Sequence, residues 1–180
     1  MSHTAPQTPL ALLKSRRFGP LFSGLCIGAF GDNVFRNALV ILVQFRLAAA
    51  QGFDAAPLIA LAPGIFMLPF FLFSGTAGQV SDRFDKACIM RSLKLLEIFL
   101  MTLAGFALCS DNVSYMLGVL FLAGLQSAFY SPVKYAILPQ HLEKADLLSG
   151  NALVGAGTFL SILIGTIAGG TLVLLPFGPQ

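Results

Sequence analysis

The stretch from Gly78 to Lys86 reads GQVSDRFDK, and long apolar runs flank it on both sides. Before it lies PLIALAPGIFMLPFFLFSGTA, from Pro57, and after it CIMRSLKLLEIFLMTLAGFALC, from Cys88. Each run approaches the roughly 20 residues that a helix needs to cross the hydrocarbon of a bilayer. The charged stretch is therefore expected to be a tight loop between two membrane spans, with Asp82, Arg83, Asp85 and Lys86 held at the water interface.

Composition extends this reading to the whole chain. Of its 180 residues 56% are hydrophobic and only 11% charged, and the mean hydropathy is +0.82, whereas about 25% of a soluble domain's residues are charged. An all-α membrane protein follows, because a run of this length in lipid satisfies its backbone only as a helix. A net charge of +3 is too small and scattered for a nucleic-acid surface, so the expected partner is the phospholipid bilayer and no nucleic acid. Cys26, Cys88 and Cys109 sit in or beside apolar runs in no metal-ligand spacing. They read as small hydrophobes, and no metal or cofactor is expected.

A cytoplasmic tail, 1–17, precedes five expected spans near 19–46, 57–80, 88–109, 113–130 and 150–175. The tail is polar, with a short interfacial helix expected around Leu10 to Lys14. Breaks are expected at QGFDAAP, at the charged stretch, at SDN, and over SPVKYAILPQHLEKADLLSG, where Pro132 should end the fourth span. Lys14, Arg16 and Arg17 before the first run, and Ala48-Ala49-Ala50 after it, raise the possibility of a cleaved signal peptide. Such a peptide has roughly 7 to 15 uninterrupted apolar residues, whereas this run is longer and carries Asp32, Asn33, Arg36 and Asn37. The basic residues are read instead as an anchor. Lys14, Arg16, Arg17, Arg83, Lys86, Lys134 and Lys144 all fall on one side, and only Arg46 lies near the other. The positive-inside rule then places the N-terminus in the cytoplasm and Gln180 outside. No residue-level repeat is apparent.

Charged groups at membrane depth cost roughly 2.5 to 3.5 kcal/mol each and so face a bundle interior or a wet cavity. In GAFGDNVFRNAL the spacing puts Asp32 and Arg36 one turn apart, and Asn33 and Asn37 one turn apart on the adjacent face. This is either a substrate or proton site or a self-neutralising ion pair that locks packing. Gly24 and Gly28, and Gly165 and Gly169, have the spacing of close helix contacts. Arg91 and Lys94 are expected to snorkel to headgroups, with Lys94 and Glu97 neutralising each other; a role in binding an amphiphile's phosphate is the sharper alternative. Lys134, where the fourth run leaves the hydrocarbon, is placed either to hold a phosphate or to act as an anchor. His141 and Asp146 have the H-x-x-x-x-D spacing of glycerolipid acyltransferases, but apolar sequence resumes at Asn151 with no phosphate-binding block. They are read as a polar loop, and no catalytic residue is expected.

The order Gly78, Asp82, Arg83, Asp85, Lys86 resembles the G-x-x-x-D-[RK]-x-[GD]-[RK] loop that follows the second helix of major facilitator superfamily transporters. The resemblance implies a conformational gate, with Asp82 stabilising a neighbouring helix N-terminus and Arg83 or Lys86 pairing with Asp85 or with headgroups. No proline lies between Asn151 and Leu175, a departure from the Gly-Pro signature of the superfamily's proton antiporters. The blocks LLKSRRFGPLF, GAFGDNVFRNALVIL, LPFFLFSGTAGQVSDRFDKA, LKLLEI, FYSPVKYAILPQHL and SGNALVGAGTFLSILIGTIAGG together look like the N-terminal half of the bacterial lysophospholipid transporter family. That likeness covers almost everything from Leu12 onward. It implies a protein of the bacterial cytoplasmic (inner) membrane that moves lysophospholipid, notably lysophosphatidylethanolamine, from the outer to the inner leaflet for reacylation. Asp32, Asn33, Arg36 and Lys134 would line the pathway. Some members are fused to an acyltransferase and acyl-ligase. Superfamily members have two six-helix halves, so this chain is expected to be a partial N-terminal bundle whose partner is a missing C-terminal half. The alternatives are another superfamily transporter of a small solute, a non-transporting membrane subunit, or the membrane part of an acyltransferase fusion.

Overall fold

A computed structural model describes residues 8–48, 52, 54–110 and 112–174 of the chain. Residues 1–7 of the tail, 49 and 50, two residues of the QGFDAAP turn (51 and 53), one residue of the SDN turn and the segment from 175 to Gln180 lie outside the described residues. Among the described residues six α-helices follow one another: α1 (Pro9–Leu13), α2 (Gly19–Leu42), α3 (Ala56–Arg83), α4 (Lys86–Cys109), α5 (Val113–His141) and α6 (Leu147–Leu174). A π-helical turn, Val43–Leu47, extends α2. Five of these helices are long and apolar enough to cross a membrane, and no strand occurs among the described residues.

Helix ends follow local chemistry. Prolines stand in the first turn of α1, α2 and α3, where a missing N–H removes no intrahelical bond. Asn112 caps α5 by accepting from the Tyr115 N–H at 3.1 Å, and Asp85 caps α4 by accepting from the Cys88 N–H at 2.8 Å. Each cap satisfies one of the donors that a helix start leaves unpaired.

Two expectations are corrected here. The charged stretch is mostly helix: Gly78, Asp82 and Arg83 belong to α3, and only Phe84 and Asp85 separate it from Lys86 at the start of α4. Hydropathy marks where hydrocarbon ends, and a helix continues past that plane while its backbone bonds remain favourable. Consequently Asp85, not Asp82, caps the next helix. Second, Pro132 does not end the fourth span; α5 runs on to His141 with Pro132 and Pro139 inside it, as neighbouring helices allow in membrane bundles. Lys134 is therefore a helical residue, and the loop before α6 is confined to 142–146. The short helix expected around Leu10 to Lys14 is present as α1. Leu12 is 2% exposed, and it packs with Phe18, Leu25, Leu138 and Val154 in an apolar plug beneath α2, α5 and α6.

Packing sets the helices in pairs, α2 against α6, and α3 and α4 against α5. Glycines permit the closest approaches. At Gly165 a Cβ would stand 3.1 Å from the Asn33 Cβ, and at Gly169 it would stand 2.9 Å from the Val34 Cα. Gly124 of α5 lies against the Phe66 backbone of α3 in the same way. Away from the α1 end, Phe35, Leu39, Leu42, Phe66, Met116 and Leu120 build the main apolar core. Polar side chains collect in the middle of the bundle, between this core and the plug.

Candidate functional site

Asp32 stands in the middle of α2, roughly 20 Å along the helix from the α1 end at 1.5 Å per residue. Its Oδ2 accepts from the Ser127 hydroxyl of α5 at 3.1 Å, and its Oδ1 is buried without a hydrogen-bond partner. That contact fixes the register of α2 against α5. Below Ser127, the residues Tyr130, Ser131 and Lys134 follow at the i+3, i+4 and i+7 positions of one helix face. All four line one cavity of about 180 Å³ together with Asp32, Gln126, Glu97 and Thr158. The cavity thus has the Asp32 carboxylate far from the α1 end, the Lys134 ammonium nearer to it, hydroxyls between them, and a second carboxylate, Glu97, on the α4 wall.

The walls are held from behind. Lys94 of α4 donates to the Gly24 carbonyl of α2 at 2.7 Å and to Glu97 Oε2 at 2.7 Å, and its Nζ lies 4.6 Å from the centre of the Tyr130 ring. One ammonium therefore ties α2, α4 and α5 together. Gly24 and Gly28 make room for it, since a Cβ at Gly28 would meet Lys94 Nζ at 2.8 Å. The Lys94–Glu97 pair expected from spacing is present, but Lys94 points into the bundle and does not snorkel. Gln126, 3% exposed, donates to the Leu93 carbonyl and adds a second tie to α4.

Asp32 and Arg36 do not pair. Arg36 donates to the Asn33 side-chain oxygen, and its guanidinium lies 5.1 Å from the centre of the Phe66 ring. Asn33, buried, also donates to the Ala29 carbonyl at 2.7 Å. Asn37 bonds the Asn33 carbonyl and reaches Thr166 of α6 at 3.3 Å. The polar ladder of α2 therefore splits: Asp32 faces the cavity with Lys134, while Asn33, Arg36 and Asn37 serve helix contacts on the far side. Ser127, Tyr130, Ser131 and Thr158 were not singled out from sequence. The i, i+3, i+4, i+7 polar stripe was there to be read on α5.

The other candidates lie at the α1 end. Asp82, Arg83 and Asp85 are exposed and Gly78 and Lys86 half-buried; none of the five lines the cavity. Among the described residues no ion pair joins Arg83 or Lys86 to either aspartate. His141 and Asp146 line a separate space of about 190 Å³ with Ser15, Arg16, Arg17 and Glu143, apart from the Asp32 cavity.

Five apolar helices around a buried polar cavity define a multi-pass membrane protein built like the transporters that carry solutes through helical bundles. The family described as Major Facilitator Superfamily matches residues 18–179, and the chain belongs to that superfamily. It is similar to proteins named Lysophospholipid transporter LplT from Escherichia coli O1:K1 / APEC, from Escherichia coli strain K12 / DH10B and from Shigella boydii serotype 18. Each is 33% identical over 148 residues, covering 81% of this chain and 34% of the relative. The chain thus spans about a third of the length of these curated relatives. No solved structure matches it.

Proposed function

We propose that this chain forms the N-terminal bundle of a transporter that carries lysophospholipid, of the lysophosphatidylethanolamine type, across the bacterial cytoplasmic membrane for reacylation. The observation that carries the reading is one cavity lined by both Asp32 and Lys134. Their backbones stand roughly 10 Å apart along the bundle, and the Lys134 ammonium lies 4.9 Å from the centre of the Tyr135 ring. The arrangement complements a zwitterion: the carboxylate receives an ammonium and Lys134 a phosphate, each a charge-assisted contact. Similarity to the lysophospholipid transporters supports the choice of amphiphile. The N-terminus and the α1 end face the cytoplasm in this reading, following the one-sided Lys and Arg distribution. Gly78, Asp82, Arg83, Asp85 and Lys86 act as a conformational gate there, remote from the cavity. A C-terminal half closes the pathway, because alternating access rocks one bundle against another.

The test is uptake of labelled lysophosphatidylethanolamine into spheroplasts expressing the protein from its complete reading frame. Uptake above an empty-vector control is expected, with none for the same headgroup lacking its acyl chain. Equal signals with and without the protein, at verified membrane expression, would overturn the assignment.

A further inference from the structure

Two hydroxyls in the cavity lack a protein partner, Tyr130 Oη of α5 and Thr158 Oγ1 of α6, and both are buried. This is unusual for the chain. Thr76, Thr102 and Thr171 bond carbonyls three or four residues back on their own helices, the ordinary way a helical hydroxyl is satisfied. Thr158 makes no such bond. A buried polar group without a partner is destabilising unless a ligand or water completes it. Tyr130 and Thr158 stand at one depth, each roughly 16 Å along its helix from the α1 end, between Lys134 and Asp32. Both residues line the cavity, and the Tyr130 ring is braced by Lys94, whose Nζ lies 4.6 Å from its centre.

We propose that Tyr130 and Thr158 form a subsite for the free glycerol hydroxyl of the lysophospholipid, and that this subsite distinguishes it from a diacyl phospholipid. The inference rests on the transport reading above and adds to it a determinant of specificity. In a lysophospholipid that hydroxyl is on the carbon next to the phosphate ester arm, within reach of a site whose phosphate is held by Lys134. In the diacyl parent the same oxygen is esterified and has no proton to donate. A site built to bond a hydroxyl rejects an analogue lacking it, because the site's own buried groups are then left unpaired. Charge recognition at Asp32 and Lys134 supplies no such discrimination, since both lipids carry the same headgroup.

The experiment compares lysophosphatidylethanolamine with its analogue bearing hydrogen in place of the glycerol hydroxyl, in spheroplasts expressing the complete protein. The parent protein is expected to prefer the hydroxylated lipid by about 10-fold or more in uptake at limiting substrate, equivalent to about 1.4 kcal/mol. Tyr130→Phe keeps the ring over Lys94 and Thr158→Val keeps the branched shape; each should reduce the preference to within about threefold by weakening the hydroxylated lipid alone. Equal uptake of both lipids by the parent protein would overturn the subsite while leaving transport standing. Uptake of neither would remove the transport reading and the subsite together. An equal loss for both lipids in the variants would make the hydroxyls structural. A shift in preference between ethanolamine and choline headgroups, with the analogue unaffected, would move the hydroxyls to the ammonium and also overturn the proposal.

Discussion

Asp32→Asn isolates the charge of the cavity's carboxylate with little change of shape. The amide keeps an oxygen for the Ser127 hydroxyl, which donates to Asp32 at 3.1 Å, so the α2–α5 register is retained. What is lost is the charge-assisted contact to an ammonium, worth roughly 1.5 to 3 kcal/mol. At 1.4 kcal/mol per tenfold, uptake of lysophosphatidylethanolamine at limiting substrate should fall about 10- to 150-fold. Stability should not fall with it, because a charge at membrane depth costs roughly 2.5 to 3.5 kcal/mol and the substitution removes one. The assay is initial uptake normalised to protein in the membrane, with the melting temperature measured in one detergent. Uptake within twofold of the parent would refute the role given to Asp32.

The geometry makes a sharper demand on the double variant. Arg36 bonds Asn33 and stacks on Phe66, so Arg36→Gln should not restore what Asp32→Asn removes. The double variant should take up lipid no faster than Asp32→Asn alone. Recovery of uptake in the double variant would show an Asp32–Arg36 ion pair in the working protein and leave the carboxylate as packing chemistry.

Three further outcomes test the architecture. Lys94→Met leaves Glu97 charged without its cation and should cost about 3 to 5 kcal/mol, with Glu97→Gln in the same chain recovering most of the melting temperature; additive losses would mean that Lys94 does not pair with Glu97. Gly169→Ala places a Cβ 2.9 Å from the Val34 Cα and should cost about 1 to 3 kcal/mol, whereas Gly170→Ala, with nothing within 4 Å, should leave the melting temperature unchanged. Asp85→Ala removes the α4 cap at about 1 kcal/mol, while Asp82→Ala should slow uptake with lipid affinity changed by less than tenfold and no cap lost; equal destabilisation by the two would contradict the cap.

The parts of this fold legible in sequence are those set by one helix at a time. Apolar length announced five spans, and small-residue spacing announced Gly165 and Gly169 as a contact face. Lys94 and Glu97 announced their pair because three residues bring them together on any helix. The ends of the helices were less legible. Pro132 and the charges at Asp82 and Arg83 looked like breaks, yet neighbouring helices and a two-residue turn carry the backbone past them. The cap then passed to Asp85, since a cap belongs to whichever residue precedes the first turn.

Partner choice around Asp32 was least legible, because it depends on how α2 rotates against α3 and α5. Arg36 could reach either Asp32 or Asn33, as its side chain leans toward the helix N-terminus over both. Phe66 on α3 draws the guanidinium to the Asn33 side, and Ser127 on α5 takes the carboxylate. This separation has a functional sense. Had the two charges paired, each would have spent its attraction on the other, and a buried pair neither binds nor releases a charged substrate without first being broken. Asp32 keeps one hydroxyl partner and an unpartnered oxygen, while an amide and a ring hold Arg36. The carboxylate that faces the cavity is thus left free of Arg36, with Lys134 lining the same cavity, and two separated groups of this kind are what a zwitterionic substrate requires.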